Sequence, residues 1–272
     1  MRRFFLFGTG LVVFGATLLL TVLGTVRYMA RGVAHAVGAP VEIWYFVFSL
    51  LLVTALIVVL LRLVHGRFLF TLFFSLAMFV GVWFFADIFF PAPFSLLIAT
   101  GLLVLRYVMP RVFVQNLLVI VGVTGVAISL GVALPWRTLL VVMLILAVYD
   151  IVAVYWTGHM VMMMKGLLAR GVIFAAVLPE NPRGSTERLD RIAPHEGFAL
   201  IGTGDLALPA TFVASIATVD IARAIFVAIG ALFGFALTTI IFLGPDRSKP
   251  MPALPPIVLG AILGLLVSFS FR

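Results

Sequence analysis

The sequence predicts an all-α polytopic membrane protein of nine transmembrane helices, and three observations carry that expectation. Hydrophobic residues make up 64% of the 272 and charged residues only 10%. Apolar runs recur along nearly the whole chain rather than in one block, and most reach the roughly 20 residues a helix needs to cross the hydrocarbon. The Lys and Arg residues gather in the short stretches between those runs. A water-soluble core of this size would require far more polar surface, with its buried segments cut shorter by turns.

The nine segments fall at residues 4–26, 44–61, 68–90, 94–105, 112–134, 138–158, 198–219, 224–243 and 255–271. The first follows Arg2 and Arg3. It is long enough to span and lacks a clear cleavage site, so it reads as a retained helix rather than a signal peptide. The fourth is too short to span untilted, and is expected to extend through Arg106, Tyr107 and Val108, with the arginine snorkelling to the interface. Between the sixth and seventh, residues 165–197 hold nine charged residues of both signs and the turn-rich string from Pro179 to Ser185. That composition predicts a polar cytoplasmic loop. The chain thus divides into a six-helix part (residues 1–165), the loop (166–197) and a three-helix part (198–272).

Charge sets the expected orientation. Under nine crossings the N-terminus and the even-numbered loops carry thirteen Lys and Arg, against five on the other side (Arg27, Arg31, Arg137, Arg223 and Arg272). The positive-inside rule then puts the N-terminus in the cytoplasm and the C-terminus outside a multi-pass cell-membrane protein. The net charge of +8 is explained by orientation and by anionic head groups, so no nucleic-acid partner is expected. The absence of cysteine excludes disulfides, thiolate metal sites and a cysteine nucleophile. The four histidines (35, 65, 159 and 195) show no metal-ligand spacing, so neither a metal nor another cofactor is expected. The methionines at 160 and 162–164 read as an interfacial apolar cluster, and the phenylalanine-rich runs as lipid-facing or core packing.

Most of the ten acidic residues lie in loops or near segment ends, where Asp87 and Asp220 read as interfacial. Asp150 and Asp205 are different, because each sits inside an apolar run. A carboxylate there costs roughly 2.5–3.5 kcal/mol to insert and should face the bundle interior with a partner. Neither has a cation one helical turn away. By the helical rise, Asp205 lies about 10 Å and Asp150 about 12 Å from the same cytoplasmic face. The two segments are consecutive and antiparallel, so the nearest candidate partner for each is the other. Two carboxyls in contact share a proton and titrate as a pair. One member can activate water while the other donates to a carbonyl, and no metal is needed. The bland alternative is a packing carboxylate bonded to backbone or to a hydroxyl. Gly202 and Gly204, flanking Thr203, weaken it by letting backbone or substrate come close to Asp205. The third feature is a segment with prolines at 250, 252, 255 and 256 at the start of the last helix. It reads either as proline in a first helical turn or as extended backbone lining a cavity and able to pair with a substrate strand.

At these three places the sequence resembles the presenilin and signal peptide peptidase family of intramembrane aspartyl proteases. Tyr149-Asp150 matches the motif of its sixth helix. Gly202, Thr203, Gly204 and Asp205 match Gly-x-Gly-Asp in the seventh, and Pro252, Ala253 and Leu254 match Pro-Ala-Leu at the ninth. The resemblance implies a presenilin-like fold with Asp150 and Asp205 as a catalytic dyad, and with Tyr149, the glycine motif and the Pro-Ala-Leu residues shaping the site and touching substrate. It implies single-span transmembrane peptides as substrates, cut after local unwinding, with lipid as the surrounding solvent; a homo-oligomer is compatible with it. Met251 and Leu206 depart from the presenilin pattern. Leu206, Ala207, Leu208 and Pro209 look closer to signal peptide peptidases, whereas the charge tally gives the presenilin orientation. The compact loops suggest a prokaryotic member. Two other readings remain from the residues. A proton- or cation-coupled transporter would use the paired carboxylates as a relay, but predicts inverted repeats that the sequence does not display. A prepilin-peptidase-like protease would share Gly-x-Gly-Asp but leaves Pro-Ala-Leu unexplained.

Overall fold

The computed structural model describes residues 2–32, 48, 52, 67–156, 173–192, 197–242 and 252–270. Its elements in chain order are α1 (Arg2–Ala30), α2 (Arg67–Phe89), α3 (Phe94–Val108), α4 (Val112–Ala133), α5 (Trp136–Ile151), β1 (Ala175–Pro179), β2 (Phe198–Gly202), α6 (Thr203–Ala217), α7 (Ile221–Phe242) and α8 (Leu254–Phe269). Among the described residues five helical stretches are long and apolar enough to cross a membrane: α1, α2, α4, α7, and α5 with the turn that follows it; α3, α6 and α8 are shorter apolar helices. Their outer faces carry exposed large hydrophobics, such as Phe233 and Val108, each 72% exposed. In water such a surface would aggregate; in lipid it is solvated, so this is an integral membrane protein. The expected second segment, residues 44–61, lies outside the described residues except for Phe48 and Leu52, both helical and exposed. The histidines and the methionine cluster also lie outside them.

Helix α6 forms the centre of the bundle. Leu206 and every residue from Pro209 to Ala217 are buried, against α1, α4, α5 and α7. Helices α7 and α8 pack backbone to backbone. Gly230 and Gly234 face Gly260 and Gly264, and a Cβ on Gly234 would stand only 2.8 Å from the Ile257 Cα. Small residues four apart on both helices permit that approach, and it fixes where α8 begins. Helix α3 runs on through Val108 as expected. Its Arg106 does more than snorkel: it is half-buried over the Phe74 and Tyr107 rings and donates to the Gln115 side chain.

Two boundaries differ from expectation, for one reason. Residues 166–197 are not polar throughout, because Ala175–Pro179 is a fully buried strand. The seventh segment does not begin as a helix at Phe198, because Phe198–Gly202 is the antiparallel partner strand, with Ala175 opposite Gly202 and Pro179 opposite Phe198. Apolar runs of this length are read equally well as strand or as helix, and mutual pairing satisfies both backbones. A small apolar cluster of Val112, Ile173, Ala175 and Val177 seats the sheet on the start of α4. The loop before β2 is tied there too, with the Val112 N–H donating to the Glu187 carbonyl and the Leu189 N–H to that of Pro110.

Candidate active site

Asp150 is the penultimate residue of α5 and only 7% exposed. Immediately after it the helix widens into a π-helical turn, Val152–Trp156. Its carboxylate lies at the start of α8, where the Leu254 N–H donates to Oδ2 at 3.2 Å and the Ala253 backbone also hydrogen-bonds it. The first N–H groups of a helix have no partner within it, and that end carries partial positive charge. Pro255 and Pro256 follow with no N–H to offer, so the free donors at this end reduce to those that Asp150 takes. Of the two readings of the proline segment, proline in a first helical turn is the one seen at Pro255 and Pro256, while Pro250 and Met251 lie outside the described residues. Ala253 has φ −86° and ψ −30°, and the ring-locked prolines let α8 start at Leu254. Pro252 and the Leu254 side chain are buried, and the Ala253 carbonyl accepts from Thr238 Oγ1 at 3.5 Å.

Asp205 is half-buried in the first turn of α6, three residues past the end of β2. Its position three residues after the N-cap, Gly202, brings its carboxyl back to the Gly202 backbone N–H, which bonds it. A Cβ on Gly202 would come within 3.2 Å of Asp205 Oδ2, so the glycine makes room for this carboxyl in particular. Gly204 is exposed, with open space where its Cβ would be. The Thr203 N–H donates to the Phe174 carbonyl, so the strand ladder runs to within two residues of Asp205.

Asp205 lies within electrostatic range of Asp150, and α5 packs on α6. The ion pairs among the described residues all lie elsewhere, so the pair is held by helix-start amides and not by cations. The expected depth changes for Asp205, which sits in the first turn of α6 rather than two turns inside a continuous span, whereas Asp150 lies inside the helical stretch Trp136–Trp156. Tyr149, next to Asp150 in α5, is 59% exposed. Among the described residues no three His, Cys, Asp or Glu side chains come together as a metal site.

Sequence reasoning missed two polar residues that serve this region. Gln115 and Asn116 are buried in α4 and hydrogen-bond the backbone of the β1 segment. Their signal was available as two adjacent amides in an otherwise apolar run.

The fold resembles that of a presenilin family intramembrane aspartate protease solved in two crystal forms. One gives 22% identity, a TM-score of 0.66 and coverage of 96% of each chain. The other gives 24% identity, a TM-score of 0.68 and 97% coverage of each. No curated protein matches significantly. The family model described as signal-peptide peptidase, presenilin aspartyl protease matches residues 11–272, and the chain belongs to that family of intramembrane aspartyl proteases.

Proposed function

We propose that Asp150 and Asp205 are the catalytic dyad of this protease and that it cuts single-span transmembrane peptides. The observation that carries the reading is the meeting of three sequence motifs in one region: Asp150 accepts from Leu254 of Pro-Ala-Leu and lies within electrostatic range of Asp205 of Gly-x-Gly-Asp. The pair shares one proton. The ionised carboxylate takes a proton from water as that water attacks the peptide carbonyl, and the neutral one donates its proton to the carbonyl oxygen. Collapse of the tetrahedral adduct breaks the C–N bond, with a proton passing to the leaving amine, and the dyad returns to its single-proton state. The relay chemistry of a transporter would use the same two carboxylates, but family membership favours hydrolysis.

A helical substrate hides its carbonyls, so it must unwind. In this reading the free edge of β2, which among the described residues pairs with β1 on its other side only, takes the unwound segment as a further strand. Gly204 leaves that approach open. The nine-span arrangement consists of the eight described helices plus residues 44–61, with the N-terminus cytoplasmic. Its support is that Arg106, Arg111, Arg183, Arg188 and Arg191 gather at the sheet end, where the dyad also lies. Residues 1–165, 166–197 and 198–272 then contribute Asp150, β1, and β2 with Asp205, respectively.

The test is cleavage of a single-span peptide by the purified protein in liposomes. Asp150→Ala and Asp205→Ala should each abolish it, and the parent should show a bell-shaped pH profile, as expected of a coupled pair. Cleavage retained by either variant sinks the dyad assignment.

A further inference from the structure

Helix α4 carries Gln115 and Asn116 inside an apolar run, and both are buried, at 0% and 9% exposure. Unpaired amides at such depth would be costly, and so would an unpaired strand edge. Each satisfies the other. Asn116 Nδ2 donates to the Val177 carbonyl at 2.7 Å, and the Val177 N–H donates back to Asn116 Oδ1 at 2.8 Å. Gln115 Nε2 donates to the carbonyls of Ile173 and Ala175, each at 3.1 Å. Gln115 Oε1 accepts from Arg106 Nε at 2.6 Å, which fixes the end of the amide that faces the strand.

The bonded residues 173, 175 and 177 alternate, so they present one edge of the β1 segment, while the Phe174 carbonyl bonds toward β2 through Thr203. Helix α4 thus supplies, in side chains, the ladder that a third strand would supply in backbone. A slip of one residue would turn the wrong groups toward α4, and a slip of two would carry β1 about 7 Å along the helix bundle.

We propose that Gln115 and Asn116 are positioning residues that lock the register of β1, and through β2 set the placement of Gly202, Asp205 and the substrate strand relative to Asp150. The proposal rests on the reading of Asp205 as catalytic. It makes α4, which supplies neither carboxylate, a determinant of turnover and of the bond that is cut.

The experiment uses the full chain in liposomes with a single-span peptide. It compares the parent with Asn116→Leu, Gln115→Leu and the conservative Asn116→Gln, with Asp205→Ala as the inactive control. Three quantities are read: kcat and KM, the masses of the products, and amide exchange of the segment 173–179. Asn116→Leu is expected to lower kcat on the order of tenfold with KM little changed, for the loss of two buried hydrogen bonds. It should spread the cut over neighbouring peptide bonds and speed exchange of 173–179 on the order of tenfold, with α7 and α8 unaltered. Asn116→Gln, which keeps donor and acceptor, should restore most of the kcat and the parental product masses. Parental kcat and product masses in a folded Asn116→Leu protein would overturn the proposal. A loss of activity with exchange raised evenly over all helices would overturn it as well, since that marks general destabilisation. If Asp205→Ala still cleaves, the dyad reading fails, whereas unchanged exchange of 173–179 in both leucine variants defeats the clamp alone.

Discussion

Replacing Gly202 with alanine isolates the placement of one carboxyl group. The backbone tolerates the change, because φ −58° and ψ 141° are open to any L-residue. The added Cβ meets Asp205 Oδ2 at 3.2 Å and Cγ at 3.8 Å, and relief requires the carboxyl to give by a few tenths of an ångström. Misplacement by about 1 Å costs on the order of 100-fold in rate, so a displacement of this size corresponds to a loss of about 3- to 10-fold in kcat. That is about 0.7–1.4 kcal/mol of transition-state stabilisation. Gly204→Ala is the internal control: its Cβ meets nothing within 4 Å, and alanine suits the first turn of a helix better than glycine. Its effect should fall on KM, because the space it occupies is the one left open to substrate. The assay is steady-state cleavage of a single-span peptide, with thermal melts confirming that both variants fold. Parental kcat in Gly202→Ala, or a larger kcat loss in Gly204→Ala than in Gly202→Ala, would refute the reasoning.

The remaining predictions concern groups around the site. Gly260→Leu should lower stability by about 1–3 kcal/mol, read as a lower melting temperature, because its side chain must enter the backbone contact between α7 and α8. It should also lower cleavage, since the start of α8 holds Asp150. Tyr149→Phe should change kcat by less than about threefold and Tyr149→Ala should act mainly on KM, because the residue is exposed and the structure gives its hydroxyl no hydrogen bond to either aspartate; a collapse of kcat in Tyr149→Phe would contradict this. In the loop, hydrogen bonds from Arg188 hold the Asp190 carboxyl below its usual value of 3.8. A depressed carboxylate stabilises above its unfolded value, and that contribution is lost as pH falls through the folded one. The pair is exposed, so the melting difference between Asp190→Asn and the parent should be small at pH 7 and vanish at pH 2; a difference unchanged between the two would count against the pairing.

The helices were legible because lipid enforces a long apolar run, and α1, α2, α4, α7 and α8 fall within a few residues of their expected bounds, as does α5 once the π-helical turn to Trp156 is counted. Asp150 and Asp205 stood out for a related reason, since a carboxylate in an apolar run demands an explanation. The sheet was not legible. Phe198–Gly202 is five apolar residues abutting a helix, and its strand character comes from β1, whose paired residues lie 19 to 27 positions earlier in sequence. The partner of Asn116 was hidden likewise, because it is the backbone of Val177, 61 residues away, which no side-chain pattern announces.

Those misread boundaries also alter how the intramembrane carboxylates are stabilised. Deep inside a continuous span every backbone N–H is already bonded within the helix, and a carboxylate there could be relieved only by a cation or a hydroxyl. A cation beside the dyad would favour ionisation of both aspartates and so oppose the single shared proton that the proposed hydrolysis requires. Helix starts supply the alternative. The strand before α6 ends the helix early enough that Gly202 can offer its N–H to Asp205, and the prolines of α8 leave the Ala253 and Leu254 amides to Asp150. These donors carry partial charge, enough to hold an ionised carboxylate without forcing the second proton off. The β1–β2 pair and the Pro-Ala-Leu segment therefore serve the same end from two sides, by bringing unfinished helix ends, rather than cations, to the two aspartates.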